Sequence, residues 1–191
     1  MPANPQAFDF LQSRQSSPAK LYTGEVPARA ELMQILTAAL RVPDHGKLEP
    51  WRLVVIERPA MARLAALAEA HARSLGVDAE KTDKARGQFD RGPLAVAVIS
   101  SPKASDKVPL SEQILSAGAL CLGVVNAALA KGWAANWLSG WPSPDADFRA
   151  AAFDCTPGET IAGIIHIGQA ANPTPDRPRP DLAKLVTWAQ P

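Results

Sequence analysis

Three short segments hold the residues best suited to chemistry. The first is Ser13-Arg14-Gln15-Ser16-Ser17. It sets a guanidinium beside an amide and hydroxyls at the end of a helix. The second is Arg41-Val42-Pro43-Asp44-His45-Gly46-Lys47-Leu48-Glu49-Pro50-Trp51. It crowds polar side chains between a helical pattern and an apolar strand, where binding residues concentrate. The third is Gly132-Trp133-Ala134-Ala135-Asn136-Trp137-Leu138-Ser139-Gly140-Trp141-Pro142. Its three tryptophans suit the wall of a flat ring, and they equally suit a core. Each segment also has a plain structural reading: a polar helix cap, a connecting loop, and aromatic packing.

Other chemistries are poorly supported. The only histidines are His45, His71 and His166, with no His-x-x-x-His or Cys-x-x-Cys pair, so no metal site is expected. His71 falls on a helical face and is expected in solvent; His166 falls inside a strand and is expected in a core or interface. Cys121 and Cys155 stand alone and fit free thiols in a reducing compartment. No Gly-x-Ser-x-Gly elbow exists, which leaves a hydrolase built on Ser139 and His45 as a remote alternative. A Walker loop and a Gly-x-Gly-x-x-Gly fingerprint are also absent, against a nucleotide hydrolase or a Rossmann dehydrogenase. Twenty Lys and Arg against 19 Asp and Glu give +1, so no global field gathers nucleic acid or an anionic membrane.

The elements that must position these segments follow from periodicity and breakers. Helices are expected over Phe8–Gln12, Arg29–Arg41, Ala60–Leu75, Ala79–Phe89 and Ser111–Lys131. The last is apolar nearly all round and is expected to be buried, with Ala117, Gly118 and Gly123 admitting another helix, such as one from a second subunit. Ser143-Pro144-Asp145 is expected to cap a short helix ending at Phe153. Strands are expected over Leu53–Glu57, Leu94–Ser101, Trp133–Leu138 and Thr160–Gly168. Asn172 to Pro180 holds four prolines and is expected to run extended along a surface. Together these predict one α+β domain over residues 1–191, with 1–7 flexible and 170–191 an extended tail. The apolar stretches around Leu94–Ile99 and Leu115–Ala130 are broken by Gly, Asn or Ser and are expected to be too short to span a bilayer. With no secretory signal at Met1–Phe10, a cytoplasmic location is expected.

The order and spacing of the segments resembles the nitroreductase family of flavoproteins, in its small single-domain branch. The resemblance covers roughly Phe8 to Trp188. It rests on Arg14-Gln15-Ser16 after the first helix, on Arg41-Val42-Pro43-Asp44-His45, on Pro50-Trp51, on Gly132 to Gly140, and on the basic tail Arg177-Pro178-Arg179-Pro180. Five motifs in order are specific where any one is weak. The resemblance implies a central, mainly antiparallel sheet of about four to five strands flanked by helices. It implies an intertwined homodimer whose C-terminal tail crosses to the partner, with a noncovalent FMN shared at the interface. Arg14, Gln15 and Ser16 are then expected against the flavin and its ribityl-phosphate, and Trp137, Leu138 and Ser139 beside the ring. Arg41 and His45 would come from the other subunit, and Arg179 would bind the phosphate. Gln15 departs from a second arginine in the family motif, and Leu138 from an arginine in some relatives. The implied activity moves hydride from NAD(P)H through the flavin to small acceptors such as nitroaromatics or quinones, with no side-chain nucleophile. The alternative within the same fold is a flavin carrier or sensor that does not turn over. Arg14 and Lys47 are the candidates for a positive group at the polar edge of the ring.

Overall fold

Every residue of Leu94–Ser100 is buried, which puts this strand at the centre of the sheet. The computed structural model describes residues 2–172 and 174–190; Pro173, one of the tail's four prolines, lies outside the described residues, as do positions 1 and 191. Along the chain the elements are α1 (Pro5–Ser13), α2 (Arg29–Ala39), β1 (Trp51–Ile56), α3 (Arg58–Ser74), α4 (Ala79–Asp90), β2 (Leu94–Ser100), α5 (Leu110–Ala130), β3 (Ala134–Leu138), α6 (Ala146–Phe153), β4 (Thr160–Gly168) and α7 (Leu182–Leu185). The four strands run in the order β1-β2-β4-β3, every neighbouring pair antiparallel. The fold is α+β, as the pattern of elements predicts.

Strand alternation sends two core layers in opposite directions. Leu94, Val96 and Val98 of β2 pack with Ile165 and Ile167 against α2 and α5. Ala95, Ala97 and Ile99 face the other way, with Ile164, onto α3, α4 and α6. The alanines leave room there for Phe89 and Phe148, whose ring centres lie 6.3 Å apart. Gly123 is where α5 meets α2: an added Cβ would stand 2.8 Å from the Ala39 carbonyl oxygen. That close approach is therefore made within one chain.

Several expectations need correction. The helix α5 is 21 residues long and apolar enough to cross a membrane by length and composition, contrary to the expectation that it is too short. It is also not buried all round. Leu110, Ile114, Leu115 and Leu122 are exposed on it, while Leu120, Cys121, Val124 and Val125 enter the core. The cap of α6 is Asp145, not Ser143: its carboxylate accepts from the Phe148 N–H at 2.9 Å. The tail is not extended throughout, because Asp181 caps the short helix α7 by accepting from the Ala183 N–H at 3.0 Å. His71 is not solvated. Its Nε2 lies 3.1 Å from Asp145 Oδ1, and its side chain is only 13% exposed.

Candidate functional site

Arg14 stands where α1 ends. It turns extended, and its N–H closes the helix by donating to the Phe10 carbonyl at 2.8 Å. The chain then runs past the outer edge of β3, where the Ser17 N–H donates to the Ala135 carbonyl at 3.3 Å. The tail is fastened over the same segment. Thr174 Oγ1 bonds Ser17 Oγ at 2.8 Å, and Arg179 reaches back to the Gln12 carbonyl.

These contacts enclose a cleft of about 350 Å³ between Arg14, Gln15, Ser16 and Asn136 on one side and Arg177 and Arg179 on the other. Its polar atoms are incompletely used. Arg14 donates to Ser16 Oγ at 3.3 Å, yet Arg14 Nε and Gln15 Oε1 are buried with no partner among the described residues. A buried polar atom without a partner costs about 1–3 kcal/mol, so such atoms in a cleft mark where a polar ligand restores hydrogen bonds. Arg179 NH1 is held at 2.9 Å from Asp176 Oδ1 and at 2.9 Å from the Arg177 carbonyl. That guanidinium holds the Asp176 carboxyl below its ordinary range. The donors, three arginines with a hydroxyl, match a phosphate; Gln15 Oε1 is an acceptor and suits a hydroxyl or N–H instead.

A second cleft of about 240 Å³ continues past Pro18 and Asn136, which border both. Leu138 lines it from β3; Lys84 and Gln88 line it from α4, and Arg91 from the C-cap of that helix. The Gln88 amide packs so closely on Gly140 that an added Cβ there would fall 1.9 Å from its Oε1. Gly140 has φ +64, a conformation that glycine adopts without strain.

The structure thus brings Arg14, Gln15, Ser16 and Arg179 together, with Leu138 next door. Trp137 and Ser139 line neither cleft. Trp137 alternates to the opposite face of β3 and lies over Gly163. Ser139 is exposed, and among the described residues no hydrogen bond joins it to His45.

Arg41 and His45 do not border the Arg14 cleft within the chain. They sit on the loop between α2 and β1, which is built with care. Gly46, Lys47 and Glu49 all take positive φ. Asp44 uses its carboxylate to accept from the Leu48 N–H at 3.1 Å and the Glu49 N–H at 2.9 Å. It is occupied with the loop itself, and Lys47 rides on the same loop, away from the Arg14 cleft. His45 Nδ1 lies 2.8 Å from Glu112 Oε2 at the start of α5. Trp51 Nε1 donates to Ser116 Oγ at 3.1 Å, and Ser116 donates to the Pro43 carbonyl at 2.7 Å. Trp51 therefore anchors the loop through α5.

Sequence reasoning missed Asn136, Asp176, Gln88 and Arg91. The first two lie inside segments already singled out; the α4 pair carries no local motif. A wider, mostly apolar groove of about 610 Å³ opens near Val26, Leu32, Val55 and Pro93, and none of the expected site residues borders it. Among the described residues, no three His, Cys, Asp or Glu gather as metal ligands would.

The four-stranded antiparallel sheet with its flanking helices is a fold shared with known proteins. The chain superposes on the nitroreductase-like family protein from Bacillus cereus with a TM-score of 0.77 at 19% identity, over 99% of this chain and 98% of that one. It superposes on an FMN-dependent nitroreductase from Clostridium difficile R20291 with a TM-score of 0.69 at 19% identity, over 95% and 98%. These likenesses establish a nitroreductase-like fold. The family model described as "Nitroreductase family" matches residues 11–169. In Escherichia coli (strain K12), the protein named "Putative NAD(P)H nitroreductase YdjA" is 34% identical over 162 residues, 85% of this chain and 87% of that protein. A "Putative NAD(P)H nitroreductase" of Haemophilus influenzae is 34% identical over 164 residues, again 85% and 87%. The chain belongs to the nitroreductase family, a family of oxidoreductases.

Proposed function

We propose that this chain is an FMN-dependent oxidoreductase that takes hydride from NAD(P)H and delivers it to small acceptors such as nitroaromatics or quinones. The observation that carries this reading is the cleft in which Arg14 Nε and Gln15 Oε1 are buried without partners beside Ser16 and Arg179. FMN, when bound, supplies the hydride-accepting and hydride-donating ring; the protein supplies binding, orientation and charge. Arg14, Ser16 and Arg179 would hold the phosphate, a dianion suited to guanidinium forks. Gln15 would add a neutral hydrogen-bonding partner. The cleft beyond Asn136, with Leu138 on its wall, leaves space for the ring.

The reading includes a homodimer. Arg41 and His45 lie apart from the Arg14 cleft in their own chain, which fits a site they complete from a second copy. Apolar side chains left exposed on α1 (Phe8, Leu11), on α5 (Leu115, Leu122) and in the tail (Leu185, Trp188) support a partner that covers them. The loop that presents His45 is pinned by Trp51 and Ser116, so it would offer the imidazole at a fixed position. Of Trp137, Leu138 and Ser139, only Leu138 lines the cleft beyond Asn136 within one chain; Trp137 lies on the opposite face of β3. The chain would act in the cytoplasm.

The test is reconstitution followed by reduction. Protein stripped of cofactor and mixed with FMN is expected to take up one flavin per chain. Adding NADH or NADPH without oxygen is expected to bleach its visible spectrum, and a nitroaromatic or quinone to restore it. A bound flavin that stays oxidised would favour the carrier or sensor alternative. Protein that takes up no FMN would end both readings.

A further inference from the structure

We infer that Arg91, the C-cap residue of α4, supplies the positive charge that sets the reduction potential of the ring held in the cleft beyond Asn136. The inference rests on the flavin reading above. Arg91 and Leu138 line this cleft together, the one charged and the other not. Of the cations along it, Lys84 is already engaged, with Nζ 2.6 Å from Glu80 Oε1. Arg91 has no ion-pair or hydrogen-bond partner for its guanidinium among the described residues. Its position is prepared nonetheless. The guanidinium lies flat over Gly87, where an added Cβ would stand 3.2 Å from Cζ and 3.3 Å from Nε. Any larger residue at 87 would push it away.

A second observation points to a ligand in the same place. Gln88 Nε2 is buried without a partner among the described residues, and Gly140 gives the amide its seat. One wall of the cleft therefore offers an unused amide donor and an unused cation one helical turn apart. A flavin gains negative charge at its polar edge on reduction. An uncompensated cation beside that edge favours the reduced form over the oxidised one. Lys20, from the opposite rim, adds to the same field.

The test uses FMN-loaded protein and reads the midpoint potential spectroelectrochemically, together with FMN affinity of the stripped protein. Arg91→Gln is expected to disfavour reduction about fivefold, which is about 20 mV for a two-electron couple. Arg91→Lys is expected to keep the wild-type potential. Leu138→Arg on the Arg91→Gln background is expected to restore it, because residue 138 lines the same cleft. Lys84→Gln combined with Glu80→Gln, which removes that ion pair without changing the net charge, is expected to change little. Arg91 is exposed, so its variants should fold normally. An unchanged potential in Arg91→Gln overturns the inference while leaving the flavin reading intact. A changed preference between NADPH and NADH with the potential unchanged also overturns it, and assigns Arg91 to a donor phosphate. Failure of the wild-type protein to bind FMN overturns the underlying reading instead.

Discussion

The indole of Trp137 lies directly over Gly163 on the neighbouring strand: a Cβ at 163 would fall 2.1 Å from Nε1 and 2.6 Å from Cδ1. The sheet thus trades a side chain on β4 for an aromatic plate laid from β3, next to a register shift at Val98 and Ile99. Trp137 keeps 40% of its surface exposed. Gly163→Ala is expected to lift the ring and to destabilise the fold by about 1–3 kcal/mol, the usual cost of overpacking. In a Trp137→Ala background the same change should cost almost nothing. A urea-unfolding double-mutant cycle measures the coupling. Equal costs in both backgrounds would show that the two residues do not depend on each other.

The Arg14 cleft makes a binding prediction. If its guanidinium holds phosphate, Arg14→Ala removes charge-assisted bonds of about 1.5–3 kcal/mol, an affinity loss of about 10- to 150-fold. Gln15→Ala should lose about fivefold, as a neutral hydrogen bond is weaker. Fluorescence titration of the stripped protein with FMN reads both. An Arg14→Ala protein that binds FMN as tightly as wild type would remove this residue from the site.

Much of this architecture was legible in the sequence, for identifiable reasons. The strand over Leu94–Ser100 announced itself as an unbroken apolar run bounded by Gly92-Pro93, and burial on both faces is what such a run requires. Arg14-Gln15-Ser16 and Arg179 were nameable because each sits in a local motif; that they meet is a long-range fact, carried by Thr174 on Ser17 and by the crossing of the tail. Gln88 and Arg91 were not legible. Their α4 sequence reads as an ordinary polar helix, and only the packing of α4 beside β3 gives them a cleft. Asp145 displaced Ser143 as the α6 cap because either residue type can cap and sequence does not rank neighbours two apart. His71 gained a partner through that same residue. The exposed stripe on α5 was hidden by composition: a helix apolar on all sides does not reveal which side its own chain leaves uncovered.

That stripe supports a prediction about assembly. Leu115 is 72% exposed in the single chain, and Leu122 lies two turns further along the helix at 45%. Intertwined obligate interfaces bury about 2,000–5,000 Å² and are hydrophobic. Leu115→Glu with Leu122→Lys is expected to halve the mass measured by sedimentation and to release FMN, because Arg41 and His45 would no longer reach the cleft of the other copy. A wild-type protein that sediments as a stable monomer with FMN bound would refute the shared site.

Acid should weaken this fold over two pH ranges with separate causes. His166 is fully buried in β4, opposite Ala95 and Asn136, with neither ring nitrogen partnered among the described residues. Burial pushes its ring from the ordinary 6.5 down to about 4. The unfolded chain therefore takes a proton at higher pH than the folded one. The stabilisation is complete above about 6.5 and is lost as pH falls towards about 4. Glu159 acts lower. Arg52 holds it through Nε to Oε1 at 2.8 Å and NH2 to Oε2 at 3.0 Å, and that pairing is the main reason its carboxyl falls from 4.5 to about 2. Its stabilisation is present above 4.5 and is lost between 4.5 and about 2. His166→Leu should flatten the stability curve between 6.5 and 4 and leave the lower limb unchanged. Glu159→Gln should flatten the lower limb and cost about 2 kcal/mol at neutral pH, since it leaves Arg52 without its carboxylate. Urea midpoints measured from pH 7 to pH 3 separate the two. If His166→Leu keeps the wild-type slope above pH 4, the imidazole is not the group that titrates there, and the loss belongs to a carboxylate.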